Sequence, residues 1–161
     1  PTLWHKVNPN WEQVKAAVDA FDFTGFKELV FCGYGEPTCA LDLMLKTARY
    51  VRKIHPELKL RVNTNGLGSL ENGRDIVPDL AQVLDAVSIS LNAPDEADYN
   101  KVTRPTLPGA YQAMLDFARE CKKKIPDTRM TVVDVLPPEQ IEASRKVAES
   151  CGIKLRVRKF A

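Results

Sequence analysis

The chain has 161 residues, of which 44% are hydrophobic, and these values are typical of one ordinary domain with a single core. Lysine and arginine total 23 against 21 aspartate and glutamate, a formal net charge of +2, which is too balanced to indicate binding to a polyanion such as nucleic acid. No apolar run approaches the roughly 20 residues of a membrane span, and four scattered cysteines do not indicate a disulfide scaffold, so we expect a soluble, cytoplasmic protein without a membrane partner.

Helical and extended patterns alternate along the chain. The first helix is predicted to begin at Asn8-Pro9, with asparagine as N-cap and proline in the first helical position. Helices are then predicted at 37–55, 75–84, 109–124 and 138–150, and strands at 29–32, 58–62, 86–91, 130–135 and 153–157. Strict alternation of five strands with helices predicts an α/β fold with a parallel sheet, either doubly wound or part of a βα barrel.

Polar residues at alternate strand positions favour the barrel. Parallel strands covered on both faces are almost continuously apolar, and a closed eight-stranded barrel fills its interior with bulky branched side chains. Here one face of four strands is polar, so the pattern predicts a wide or incomplete barrel with a hollow for a polar ligand; for the last strand, a solvated edge fits equally well. The polar residues are Lys59, Arg61, Asn63, Asn65, Ser88, Ser90, Asn92, Asp134 (which interrupts an apolar strand), Arg156 and Arg158.

Candidate ligand-binding residues follow the first three strands, where parallel βα folds place their ligands. After the first strand, Gly33, Tyr34 and Gly35 precede Glu36, whose carboxylate suits an ammonium group or the start of the following helix. The second strand ends in Asn-Thr-Asn-Gly at 63–66, and the third ends in Ser-Ile-Ser-Leu-Asn at 88–92. Their amide and hydroxyl groups suit a ribose or a carboxylate, although Asn-Gly is also a common turn.

These segments carry a resemblance. Phe-Cys-Gly-Tyr-Gly-Glu-Pro-Thr at 31–38 resembles the Gly-Gly-Glu-Pro motif of radical S-adenosylmethionine (radical SAM) enzymes, with Tyr34 inserted between the glycines. The segments at 63–66 and 88–93 look like the third and fourth strand ends of that superfamily. Together with 73–75, 99–105 and 131–134, they are similar to radical SAM proteins associated with TatD-type nucleases, over nearly the whole chain.

The resemblance implies two cofactors, S-adenosylmethionine and a [4Fe–4S] cluster held by three cysteines spaced Cys-x-x-x-Cys-x-x-Cys. Reduction by a protein such as flavodoxin or ferredoxin would give a 5′-deoxyadenosyl radical that abstracts hydrogen from an unknown substrate, and a functional link to a TatD-type nuclease is implied. The implied cofactor-binding residues are Gly33, Tyr34, Gly35 and Glu36 around the methionine ammonium, Ser90 and Asn92 near the ribose or methionine carboxylate, Asn63 and Asn65 along the floor, and Asp134 and the backbone of Val157 toward the ribose and adenine.

The chain departs from the family pattern because it has no cysteine triplet. Cys32 and Cys39 are seven positions apart and the next cysteine is Cys121, whereas three thiolates are the minimum for such a cluster. The absent triplet belongs to a loop between a first strand and the helix with which this sequence starts. We therefore expect residues 1–161 to be a single truncated radical SAM core, a partial, open (β/α)6-type barrel that lacks its first strand and is inactive alone.

Two alternatives remain open at this point. One is a cluster-free α/β-barrel enzyme that acts on a small anionic metabolite, with Glu36 as general base and Lys59 or Arg61 as anion clamp. The other is a non-catalytic module that binds a nucleoside.

Overall fold

The computed structural model describes residues 7–33 and 35–161, and within them five parallel strands form one sheet. Their order in the sheet, β1-β2-β3-β4-β5, is also their order in the chain. A doubly wound sheet reverses its strand order at a switch point, so the sequential order identifies an open, barrel-type arrangement and confirms the predicted α/β class. The strands are β1 (Glu28–Phe31), β2 (Lys59–Thr64), β3 (Ala86–Ser90), β4 (Asp127–Val133) and β5 (Lys154–Arg158).

Helices connect the strands and cover one face of the sheet. No helix in the described ranges is long and apolar enough to cross a membrane. The helices are α1 (Trp11–Ala20), α2 (Leu41–Ile54, preceded by a 3₁₀ turn at Pro37–Ala40), α3 (Gly68–Asn72), α4 (Val77–Val83), α5 (Glu96–Thr103), α6 (Ala110–Lys124) and α7 (Pro138–Ser150).

The alternation within the strands separates the core from the polar face. Leu60, Val62, Val87, Ile89 and Met130 are fully buried in one cluster with the apolar residues of α2, α4 and α6. Because successive strand side chains point to opposite faces, the residues between them lie on the other, polar face.

Besides shifted bounds, such as the start of β4 at Asp127 rather than Met130, three details differ from the sequence prediction. Helix α1 begins at Trp11 rather than at Pro9, because Asn10 forms a capping box in which its side chain and that of Gln13 each accept a backbone N–H at 2.9 Å. Helices α3 and α5 were not predicted. Asp134 does not interrupt a strand, since β4 ends at Val133.

A buried arginine organises the amino-terminal part of the polar face. The Arg61 side chain is only 8% exposed, and it donates to Glu28 at 3.1 Å, Ser88 at 2.8 Å and Asp127 at 2.9 Å. Asp127 also accepts from Lys59 at 2.7 Å and from Arg129 at 2.9 Å. Burial by itself raises the pKa of Asp127, but the hydrogen bonds from the three basic side chains outweigh it and lower the pKa to about 2.

The substitution Asp127→Asn tests this network. Because the pKa of Asp127 is lower in the folded than in the unfolded chain, its stabilisation is complete above about pH 5 and is lost as the pH falls toward 2. We expect Asp127→Asn to lower the free energy of unfolding at pH 7 by about 2 kcal/mol, with a difference from the wild type that shrinks between pH 5 and pH 2 in urea unfolding. Asp116→Asn, which removes an exposed carboxylate from α6, is the control, and a pH-independent difference for Asp127→Asn would contradict the assignment.

Candidate functional site

A polar cavity of about 550 Å³ opens at the carboxyl-terminal edge of the sheet. Its size lies within the range of small-molecule sites. Loops after β1 and β2, together with the ends of β3 and β5, supply its lining residues, which are Cys32, Gly33, Gly35, Glu36, Asn63, Thr64, Asn65, Ser90 and Arg158.

The carboxylate of Glu36 holds the first two loops together. Oε1 accepts from the Thr38 hydroxyl at 2.8 Å, the Thr38 backbone N–H at 3.2 Å and the Thr64 hydroxyl at 2.6 Å. Oε2 accepts from the backbone N–H of Asn65 at 2.8 Å. Glu36 therefore caps the 3₁₀ turn and also fastens the loop after β1 to the end of β2.

The turn after β2 fits closely against the helices behind it. Thr64 Oγ1 accepts from the Gly66 N–H at 3.1 Å. Gly66 has a φ of +78°, and a Cβ there would lie 2.9 Å from both Ile89 and Met114. A Cβ at Gly68 would lie 2.8 Å from Thr38 and 2.5 Å from Ile76, so neither glycine can be replaced by a larger residue without a shift of its neighbours.

The structure brings together six of the ten predicted site residues. Their role as cofactor ligands stays a prediction; what the structure establishes is that all six line one cavity. They are Gly33, Gly35, Glu36, Asn63, Asn65 and Ser90.

The other four predicted residues are placed differently. Tyr34 lies outside the described residues. Asn92 adopts a left-handed conformation (φ 69°) in the loop after β3 and is not among the lining residues. Asp134 accepts from the Phe160 N–H at 2.8 Å and thereby holds the segment after β5, and the side chain of Val157 packs against the core. Asn92, Asp134 and Val157 do not line the cavity, and the part of all four residues in binding stays a prediction.

Three lining residues were missed as candidates from the sequence. Thr64 has the strand parity of the apolar face, yet its hydroxyl reaches Glu36 because β2 ends there. Arg158 is among the polar residues whose alternation predicts the hollow, but a solvated edge fitted the last strand equally well. Cys32 follows β1 and precedes the glycine loop, and no nearby histidine or acid in the sequence marks it as a functional residue.

The site geometry does not support the cluster-free enzyme. Lys59 and Arg61 are paired with acids at the amino-terminal side of the sheet, whereas the cavity opens at its carboxyl-terminal edge. An anion clamp needs donors that face the ligand, and both Glu36 oxygens are already engaged in holding the loops together. Lys59 and Arg61 as anion clamp is therefore a wrong interpretation.

Two of the four thiols have raised pKa values. Burial raises the pKa of Cys39, and the charges of Glu71 and Glu36 add to the increase. Burial also raises the pKa of Cys121, which lies in the core with Cys151. Within residues 7–33 and 35–161, no group of three or more histidine, cysteine, aspartate or glutamate side chains is arranged to hold a metal ion.

Comparisons with known proteins agree with the fold. The family model described as Radical SAM superfamily matches residues 2–150. A solved domain of a pyruvate-formate lyase-activating enzyme from Bacteroides vulgatus ATCC 8482 is similar with a TM-score of 0.51 and 11% identity, covering 82% of this chain and 99% of that one. At this identity the likeness concerns the fold alone. No curated protein matches the chain.

Glu36→Gln tests whether this carboxylate holds the two loops together. Glutamine has an NH₂ group in place of one carboxylate oxygen, and the groups that surround this position are themselves donors. At least one N–H or O–H of the protein therefore loses its acceptor. We expect a loss of about 1–3 kcal/mol in the free energy of unfolding, measured by urea denaturation. Thr64→Ser, which keeps the hydroxyl, should cost much less than Thr64→Val, and an unchanged stability of Glu36→Gln would refute the structural role.

Proposed function

Because the chain belongs to the radical SAM superfamily, we propose that it binds S-adenosylmethionine in the cavity at the carboxyl-terminal edge of the sheet. The observation that carries the proposal is the attachment of the glycine loop to the Asn65 turn by Glu36. It presents backbone from Gly33 and Gly35 and the Asn63 amide to the same space. A polar, hydrogen-bonding pocket of about 550 Å³ suits a nucleoside that also carries an amino acid group.

Five lining residues have an assigned part in this proposal. The backbone carbonyls of Gly33 and Gly35 accept from the methionine ammonium, and a Cβ built on either glycine meets no described atom within 4 Å, so the approach is open. Asn63 and Ser90 serve the ribose hydroxyls and the methionine carboxylate. Glu36 acts as a positioning residue, because its oxygens are already engaged by Thr38, Thr64 and Asn65.

The second cofactor of the superfamily does not fit the cysteines of this chain. In a protein that held it, the [4Fe–4S] cluster would supply the electron for the reductive cleavage of S-adenosylmethionine. Cys32 and Cys39 are exposed near the cavity, but Cys121 and Cys151 are buried in the core, so the four thiols do not form the required set of three.

We assign radical chemistry to a longer form of the protein that contributes a cysteine triplet, and we assign its reduction to flavodoxin or ferredoxin. Two features of the described structure support an additional strand beside β1. The outer edge of β1 pairs with no other described strand, and an apolar groove of about 750 Å³ runs along it, lined by α1, Phe21, Phe23 and Phe26. The link to a TatD-type nuclease stays a prediction.

Calorimetric titration of the 161-residue chain with S-adenosylmethionine tests the binding. We expect saturable binding that Asn63→Ala and Ser90→Ala each weaken about tenfold, which corresponds to the loss of one hydrogen bond. Asn100→Ala, on the exposed side of α5, is the matched control. No binding would overturn the proposal, and equal affinity for adenosine would identify a nucleoside-binding module instead.

A longer form that carries the cysteine triplet tests the chemistry. After anaerobic reconstitution with iron and sulfide, we expect the reduced protein to cleave S-adenosylmethionine. Asn63→Ala should lower cleavage while the iron content stays the same, because Asn63 is assigned to S-adenosylmethionine and not to iron. Loss of iron from this variant would contradict that assignment.

A further inference from the structure

The polar face of the sheet carries much more positive charge than the chain as a whole. Two acidic side chains, Glu28 and Asp127, share this face with six basic ones, an excess of four positive charges, whereas the formal net charge of the whole chain is +2. The basic residues are Lys59, Arg61, Arg129, Lys154, Arg156 and Arg158.

Compensation of these charges is uneven across the sheet. Glu28 and Asp127 pair with Lys59, Arg61 and Arg129 on β2 and β4. In the described part of the chain, the polar-face side chains of β5 form no salt bridge. The strand register places Thr131 beside Arg156 and Val133 beside Arg158, so the neighbouring strand offers these arginines no negative charge.

The two arginines lie where a ligand can reach them. Arg158 lines the cavity together with Asn63 and Ser90, and Arg156 follows on the same face one pleat further from the strand end, about 7 Å away along the strand. Charged side chains on an edge strand can prevent pairing with another chain. That role does not require them to line a cavity that central strands form. Two guanidinium groups on one face repel each other and present paired donors of the kind that carboxylate and phosphate groups accept.

We infer that Arg156 and Arg158 bind an anionic group of the substrate, a phosphate or a carboxylate, at the β5 side of the cavity. The inference rests on the proposed function, because it places the substrate beside the S-adenosylmethionine site. It also gives a role to two charged residues of β5 to which the proposed function assigns none. The bound anion relieves the repulsion between the two guanidinium groups.

Thermal unfolding at low ionic strength tests this site in the 161-residue chain. Sodium phosphate or sodium succinate is compared with sodium chloride at the same ionic strength, and we expect one of the two anions to raise Tm by about 3 °C or more near saturation. The double variant Arg156→Gln/Arg158→Gln should have a higher Tm than the wild type in chloride and should lose the response to the anion. Lys122→Gln/Lys146→Gln removes the same charge from exposed positions on α6 and α7 and should keep the response.

Calorimetric titration with the same probes separates the possible outcomes. We expect at least a tenfold weaker affinity in the arginine double variant, and the preference for phosphate or succinate identifies the anionic group. Equal affinity in both double variants, or no binding of either probe, would overturn the inference. The arginines of β5 would then be solvent-exposed charges of an edge strand. If the anion binds in an arginine-dependent manner but S-adenosylmethionine does not bind, the proposed function fails and the anion site stands. If S-adenosylmethionine binds and neither anion does, only the anion site is rejected.

Discussion

The hydrogen bonds of one carboxylate determine the shape of the candidate site. In a parallel sheet, the loops at the carboxyl-terminal edge are consecutive in space but separated by a helix in the chain, so nothing in the backbone ladder fixes their relative position. Glu36 connects two of them across 28 and 29 residues of sequence, with one oxygen on Thr64 and the other on Asn65. Hydrogen bonds to a charged acceptor are stronger than neutral ones, and losing the acceptor would leave the partly buried donors unsatisfied.

The two ends of the polar face differ in how their charges are balanced. At the amino-terminal end, Arg61 is buried and needs acidic partners, because an unpaired buried charge costs several kcal/mol; Glu28 and Asp127 supply them. Both acidic residues of the polar face therefore lie at the end that is filled by side chains. At the carboxyl-terminal end, where the face opens into a cavity, the lining is uncharged except for Glu36 and Arg158. The filled end therefore gives the open barrel a rigid base, and the open end gives it a binding surface.

The sequence was sufficient for the fold but only partly for the site. Strand parity predicted which face of β2 and β3 is polar, and the bounds of α7 agree with its proline start and glycine end, because these features are local. Helix α5 was missed because it is short and weakly patterned, and it is held by the burial of Tyr99 in the core. The sequence allowed two roles for Glu36, binding of an ammonium group or capping of the following helix. The structure shows it at the start of a helical turn. Its contacts with Thr64 and Asn65 depend on strand pairing, which no local sequence pattern encodes.

The charges of the cavity also explain why two ligands would bind side by side. S-adenosylmethionine carries positive charge at its sulfonium and ammonium groups, so it is best placed near the carbonyls and carboxylate of the loop after β1 rather than near Arg158. An anion on β5 is attracted by the same arginines that repel the sulfonium. Glu36 holds the first loop, and the hydrogen bond between Asp134 and the Phe160 N–H holds the segment after β5. Under the two proposals, the sulfonium and ammonium groups of the cofactor would face the first loop and the anionic group of the substrate would face β5, while the uncharged Asn63 and Ser90 line the same cavity.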